Sequence, residues 1–116
     1  MTADFSVTSE TLDGSRALVT LRGEVDIYTA PRLKERLLEL LDGGATGVVV
    51  DLSAVTFIDS TALGVLIGGV RRLHDVGGSM ALVVATRPVE RVLTITGLDR
   101  VFAIRGTREA ALAALG

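Results

Sequence analysis

Three consecutive β-branched residues, Val48-Val49-Val50, lie between two stretches whose apolar residues recur with helical spacing, and this juxtaposition limits the possible folds severely. An unbroken β-branched run suits a strand covered on both faces, because side chains alternate and neither side meets water. Before it, residues 30–42 (APRLKERLLELLD) place Leu33, Leu37, Leu40 and Leu41 at i, i+4, i+7 and i+8, leaving Lys34, Glu35, Arg36 and Glu39 mostly outside. Thr29 is the expected cap, Pro31 fits the first turn and Gly43-Gly44 ends the helix. After it, residues 60–76 repeat the pattern with Leu63, Leu66, Ile67, Val70 and Leu73 inward, and Gly77-Gly78 closes the segment. Such alternation predicts parallel strands joined by right-handed crossovers.

The remaining segments extend this scheme. Residues 4–8 (DFSVT) alternate with Phe5 and Val7 on one face, and residues 16–22 (RALVTLR) alternate likewise. Asp13-Gly14 between them predicts a turn and an antiparallel pair. Residues 80–84 (MALVV) form another buried strand, Pro88 opens a short helix through about Thr96, and Gly97 stops it. Val101–Ile104 make a last strand and Thr107 starts a terminal Ala/Leu helix. The expected fold class is α/β, in the order β-β-α-β-α-β-α-β-α. It is a single domain over 1–116, with a mixed sheet of about five strands and helices mainly on one face. The strands at 16–22, 48–52 and 80–84 run parallel, so their following loops gather on the sheet edge where open α/β folds bind ligands. Those loops carry Glu24–Tyr28, Thr56–Thr61 and Thr86–Pro88.

Several function classes are disfavoured. A net charge of −2, with Arg scattered among acids, gives no footprint for nucleic acid or an anionic membrane. The apolar run 62–70 (ALGVLIGGV) is about half of the ~20 residues a spanning helix needs, so no membrane insertion is expected. No basic or apolar leader is visible and Cys is absent, which points to a soluble cytoplasmic protein. The lone His74 and separated carboxylates make no metal site, and no cofactor is expected. His74 follows Ser60 by 14 positions on one helix, roughly 21 Å at 1.5 Å per residue, which excludes a catalytic triad. The glycines at 43–47 lack the Lys-Ser/Thr of a phosphate loop. Asp26 and Asp59 are placed to meet on the loop edge as an acid/base pair, but no second kind of catalytic group accompanies them. The chain reads as a non-enzyme.

The informative segment is 57–68, FIDSTALGVLIG. Ser60 has the composition of a helix N-cap, its hydroxyl placed to accept the Leu63 amide, and Asp59 fits that role equally. A phosphate on Ser60 would sit against the free amides and positive dipole of a helix N-terminus. It would add about −1.5 to −2 charges that a docked partner must repel. Thr61, Gly64, Val65, Gly68 and Arg72 recur along the outer side of the helix. Interior glycine costs ~1 kcal/mol relative to Ala, so Gly64 and Gly68 serve either a smooth docking surface or close packing within the domain.

Residues 23–26 (GEVD) and 51–64 (DLSAVTFIDSTALG) resemble the paired signature of the STAS domain family, and the element order from about Asp4 to Leu115 resembles its stand-alone anti-sigma factor antagonists. The resemblance implies that Ser60, after the motif Asp59, is phosphorylated by an anti-sigma factor that is itself an ATP-dependent serine kinase, with Thr61 the runner-up site. It implies that the unphosphorylated form binds this kinase and frees its sigma factor, and that a serine/threonine phosphatase restores that form. Asp26 matches the acidic residue closing the first motif. The partner-binding set is then Asp26, Asp59, Ser60, Thr61, Gly64, Val65 and Gly68. Ala62 stands where the family often has Gly, a methyl expected to affect the docking surface. The alternative is a STAS interaction module, a transporter accessory or signalling scaffold, without phosphoswitching. The glycine-lined helix also leaves room for a weak homodimer.

Overall fold

The computed structural model describes residues 5–115. The elements run β1 (Ser6–Thr11), β2 (Arg16–Val25), α1 (Ala30–Asp42), β3 (Gly47–Ile58), α2 (Ser60–Asp75), β4 (Ser79–Val83), α3 (Arg87–Ile95), a 3-10 turn (Leu98–Arg100), β5 (Ala103–Arg105) and α4 (Arg108–Ala113). The order is the one the periodicities predict. One five-stranded sheet has the spatial order β1-β2-β3-β4-β5, with β1 antiparallel to β2 and the remaining neighbours parallel.

Val48, Val49 and Val50 are all fully buried, as an unbroken β-branched run requires. Val48 and Val50 face a large core filled by Leu33 and Leu37 of α1, Leu63, Leu66, Val70 and Leu73 of α2, and Val89 and Leu93 of α3. Val49 faces a smaller cluster with Leu18, Ala81, Val83 and Ala111 under α4. Three helices therefore cover one face and a single short helix covers part of the other.

Strand ends differ from the expectation for a physical reason. The β2–β3 ladder shifts register between Thr20 and Arg22 and again between Gly23 and Glu24. Such irregularities break strict alternation while pairing continues, so β2 runs on to Val25 and β3 to Ile58 rather than stopping at 22 and 52. The first strand lies at Ser6–Thr11 instead of 4–8, and Asp4 falls outside the described residues. The last strand begins at Ala103, because Gly97 adopts φ 75° and starts the 3-10 turn, and the Val101 amide bonds back to the Leu98 carbonyl.

One buried charge fixes α4 to the sheet. Asp51 is 3% exposed and accepts from Arg108 Nε at 2.6 Å and from the Ser53 amide at 2.9 Å, while Arg108 also reaches Thr20 Oγ1 at 3.2 Å. Burial pushes the Asp51 carboxyl up, but hydrogen bonds from Ser53 and from Arg108 outweigh it and hold the group below the ordinary carboxylate range. A group depressed on folding stabilises the native state above its unfolded pKa of about 4, and that contribution is lost as pH falls through the folded value. Arg108→Ala should therefore cost about 2 kcal/mol near neutrality by leaving Asp51 buried and unpaired. Urea unfolding at pH 6 and pH 3 should show the gap between wild type and Arg108→Ala narrowing in acid, and a constant gap would remove Asp51 as its source.

Candidate functional site

The C-terminal edge of the sheet brings the start of α2 against the loop between β2 and α1. Asp59 makes that junction. Its backbone is extended (φ −112°, ψ −179°), its Oδ1 accepts from the Ala62 amide at 3.0 Å, and its Oδ2 accepts from the Ile27 amide at 3.0 Å. Its own amide donates to the Val25 carbonyl at 3.2 Å. One carboxylate thus caps α2 and ties down the neighbouring loop.

This assigns the cap to Asp59 instead of Ser60. The Leu63 amide donates to the Asp59 carbonyl at 3.1 Å, not to the Ser60 hydroxyl. Ser60 is the first helical residue and is exposed, with Thr61 exposed beside it. Both hydroxyls therefore lie at the positive end of α2, where the cap is made without them. Asp59→Ala should cost about 1–2 kcal/mol in urea unfolding through the lost cap and loop tether. Ser60→Ala should stay within about 0.5 kcal/mol of wild type.

Asp26 shapes the loop. Its Oδ1 accepts from the Tyr28 amide at 2.9 Å and the Thr29 amide at 3.1 Å, and its carbonyl accepts from the Ala30 amide at 2.7 Å. Thr29 stands at the cap position of α1 but does not cap it: the residue is already helical (φ −101°, ψ −22°). Its hydroxyl is turned back, accepting from the Asp26 amide at 2.9 Å and donating to the Glu24 carbonyl at 3.0 Å. The expected Thr29 cap is thus replaced by the Asp26 turn. Asp26 Oδ1 and both carboxylate oxygens of Asp59 accept backbone amides, so the two side chains shape the loop and the helix start.

The loop so held presents Ile27 at 60% and Tyr28 at 85% exposure, and Phe57 near the end of β3 is 49% exposed. These are large apolar side chains left open at the same edge of the sheet as Ser60. Sequence alone places Ile27, Tyr28 and Phe57 on the loop edge, but nothing in it marks them as exposed. On the third loop, the Thr86 hydroxyl donates to the Val55 carbonyl at 3.4 Å.

Along α2, Gly64 and Gly68 are exposed, and a Cβ at either would meet nothing within 4 Å. Close packing within the domain does not explain them. That role belongs to Gly69, whose Cβ would lie 3.0 Å from Met80 Cε and 3.4 Å from Leu37 Cδ1. Val65 is half-buried between the two open glycines. Ala62 is fully buried, so its methyl enters the core and not the outer side of α2 where it was expected to act. His74 lies exposed in the last turn of α2, far from Ser60. Among the described residues there is no cluster of His, Cys, Asp and Glu fit to hold a metal, and no helix long and apolar enough to cross a membrane.

Comparison with known proteins identifies relatives of the whole fold. The chain is 36% identical over 91 residues to an anti-sigma-B factor antagonist of Bacillus subtilis, covering 78% of this chain and 83% of the relative. An anti-sigma factor antagonist from Mycobacterium paratuberculosis superposes with a TM-score of 0.87 at 30% identity, covering 97% of this chain and 94% of the other. The phosphorylated form of the Bacillus cell fate determinant SpoIIAA shares the fold, with a TM-score of 0.74 at 21% identity over 94% of this chain and 98% of its own. The STAS domain model matches residues 6–111, and the chain belongs to the STAS domain family.

Proposed function

We propose that this protein is an anti-sigma factor antagonist switched at Ser60. In the unphosphorylated state it binds an anti-sigma factor with ATP-dependent serine kinase activity, and the sigma factor is released. The kinase transfers the γ-phosphoryl group of ATP to Ser60 Oγ, leaving ADP, and a serine/threonine phosphatase reverses the modification. The chain supplies a hydroxyl and a docking surface, and the chemistry is the partners' in the cytoplasm. Asp26 and Asp59 shape that surface, Ile27, Tyr28 and Phe57 offer apolar contact, and Thr61, Gly64, Val65 and Gly68 extend it along α2.

The observation that carries this reading is the division of labour at the start of α2. Asp59 caps the helix, so Ser60 is exposed at its positive end. Phosphate is tolerated there by the fold, because helix amides and dipole favour an anion. A partner seated against a neutral hydroxyl meets repulsion and loses solvation energy. The relatives are named as anti-sigma factor antagonists, and the phosphorylated SpoIIAA keeps the shared fold.

Incubation with the cognate kinase and ATP, read by intact-protein mass, should add one phosphate to wild type and none to Ser60→Ala. Phosphate retained in Ser60→Ala and lost in Thr61→Ala would move the switch to Thr61. No uptake by wild type, with partner binding intact, would leave an interaction module without a switch.

A further inference from the structure

Helices α1 and α2 each return from the C-terminal edge of the sheet, so they run side by side in the same direction, and their outer sides enclose a groove of about 340 Å³. One wall is Leu37, Leu38 and Leu41 of α1. The other is Gly64, Val65 and Gly68 of α2, where the two open glycines leave bare backbone. A wall without side chains lets another backbone approach closely, as in helix-in-groove recognition.

The charged groups lining the groove are both cations: Lys34 toward the helix starts and Arg72 at the far end. Arg72 has Asp42 at 3.5 Å, with side chains 53% and 73% exposed, and a pair so solvated holds the guanidinium only weakly. From Lys34 to Leu41 the groove follows α1 for about 10 Å, and from Thr61 to Arg72 it follows α2 for about 16 Å, at 1.5 Å per residue. That length takes two to three turns of a third helix.

We propose that the groove binds an amphipathic helix of a protein partner, its apolar stripe bracketed by carboxylates about two turns apart. Charge complementarity selects this occupant: a cation stands at each end of an apolar trough, and among the lining residues there is no acid. A single-carboxylate amphiphile such as a fatty acid engages only one of the two cations. The proposal rests on the reading of the outer face of α2 as partner-binding, and it names the chemistry of the segment that docks there.

The test uses the full chain and a synthetic helical peptide of about four turns, with a leucine stripe and Glu at both ends of the stripe. Its twin carries Lys in place of Glu, and decanoate is the third probe. Methyl resonances of Leu37, Leu38, Leu41 and Val65 should shift with the Glu peptide, and the Lys twin should bind about tenfold more weakly. The double variant Lys34→Glu/Arg72→Glu should reverse that preference. Gly68→Leu should abolish binding with its thermal unfolding retained, since a Cβ there meets nothing within 4 Å and the added side chain occupies the groove. Equal binding of the two peptides, shifts confined to other surfaces, survival of binding in Gly68→Leu, or the same shifts from decanoate alone would each overturn the proposal. Phosphate uptake at Ser60 is read separately. Uptake without peptide binding overturns the groove alone, whereas peptide binding without uptake upholds the groove and overturns the switch.

Discussion

Ser60→Asp is expected to bind the anti-sigma factor about 100-fold more weakly than wild type, equivalent to about 3 kcal/mol. The substitution places a fixed negative charge on the first residue of α2, beside the Asp59 carboxylate. In the free protein that charge is solvated and lies at the positive helix end, so stability should change little. In the proposed complex the same charge would be taken from water against a partner that docks on a neutral hydroxyl, at a desolvation cost. Titration calorimetry with purified anti-sigma factor reads the effect, with Ser60→Ala as the control that removes the hydroxyl and adds no charge. Equal weakening by Ala and Asp would transfer the effect from charge to a lost hydrogen bond.

Gly78→Ala is expected to destabilise the fold by about 3 kcal/mol or more, a large part of the 5–15 kcal/mol that holds a domain together. A Cβ at Gly78 would stand 2.1 Å from the Thr46 carbonyl oxygen and 2.9 Å from its carbon. Neither is the end of a flexible side chain. Both belong to the crossing where the Ser79 amide bonds to the Thr46 carbonyl at 2.9 Å and the Gly78 amide to the Leu73 carbonyl at 2.7 Å. Relief requires moving the start of β3 away from the start of β4, which disrupts the parallel ladder that begins with Gly47 opposite Ser79. Urea unfolding reads this directly. A loss of less than about 1 kcal/mol would mean that the crossing yields easily.

These two residues illustrate what was legible in the sequence. Apolar periodicity located each helix closely: α1 occupies 30–42 as expected, and α2 ends at Asp75 against an expected 76. It also located the central strands, where burial imposes alternation or an unbroken apolar run, while the two outer strands lie about two residues beyond their expected starts. It failed where alternation and pairing part company, at the register shifts that carry β2 and β3 onward toward the site. Capping was ambiguous for a different reason. Asp59 and Ser60 are both good cap residues, and only the backbone angles decide which is already helical. At Thr29 the same ambiguity resolved against the expected role, since the Asp26 turn uses the hydroxyl elsewhere.

Three-dimensional neighbours were beyond reach of spacing alone. Nothing in the sequence distinguishes Gly78, pressed on Thr46, from Gly64 and Gly68, which face open space. Nor does it reveal that Asp51 inside the motif serves Arg108 across the sheet. The exposed trio Ile27, Tyr28 and Phe57 flanks the start of α2, yet in sequence each reads as one more apolar residue near a strand end. By contrast, the placement of Asp26, Asp59, Ser60 and Thr61 on one edge follows from topology, because parallel strands send their loops to the same side.

In the proposed switch, charge on Ser60 separates this protein from an anti-sigma factor kinase. The measurement that tests it most directly is the affinity of the anti-sigma factor for one preparation before phosphorylation, after stoichiometric phosphorylation and after phosphatase treatment. The expected result is binding, a loss of about 100-fold or more with the phosphate in place, and recovery when it is removed. Equal affinity for the unmodified and phosphorylated protein would contradict the claim.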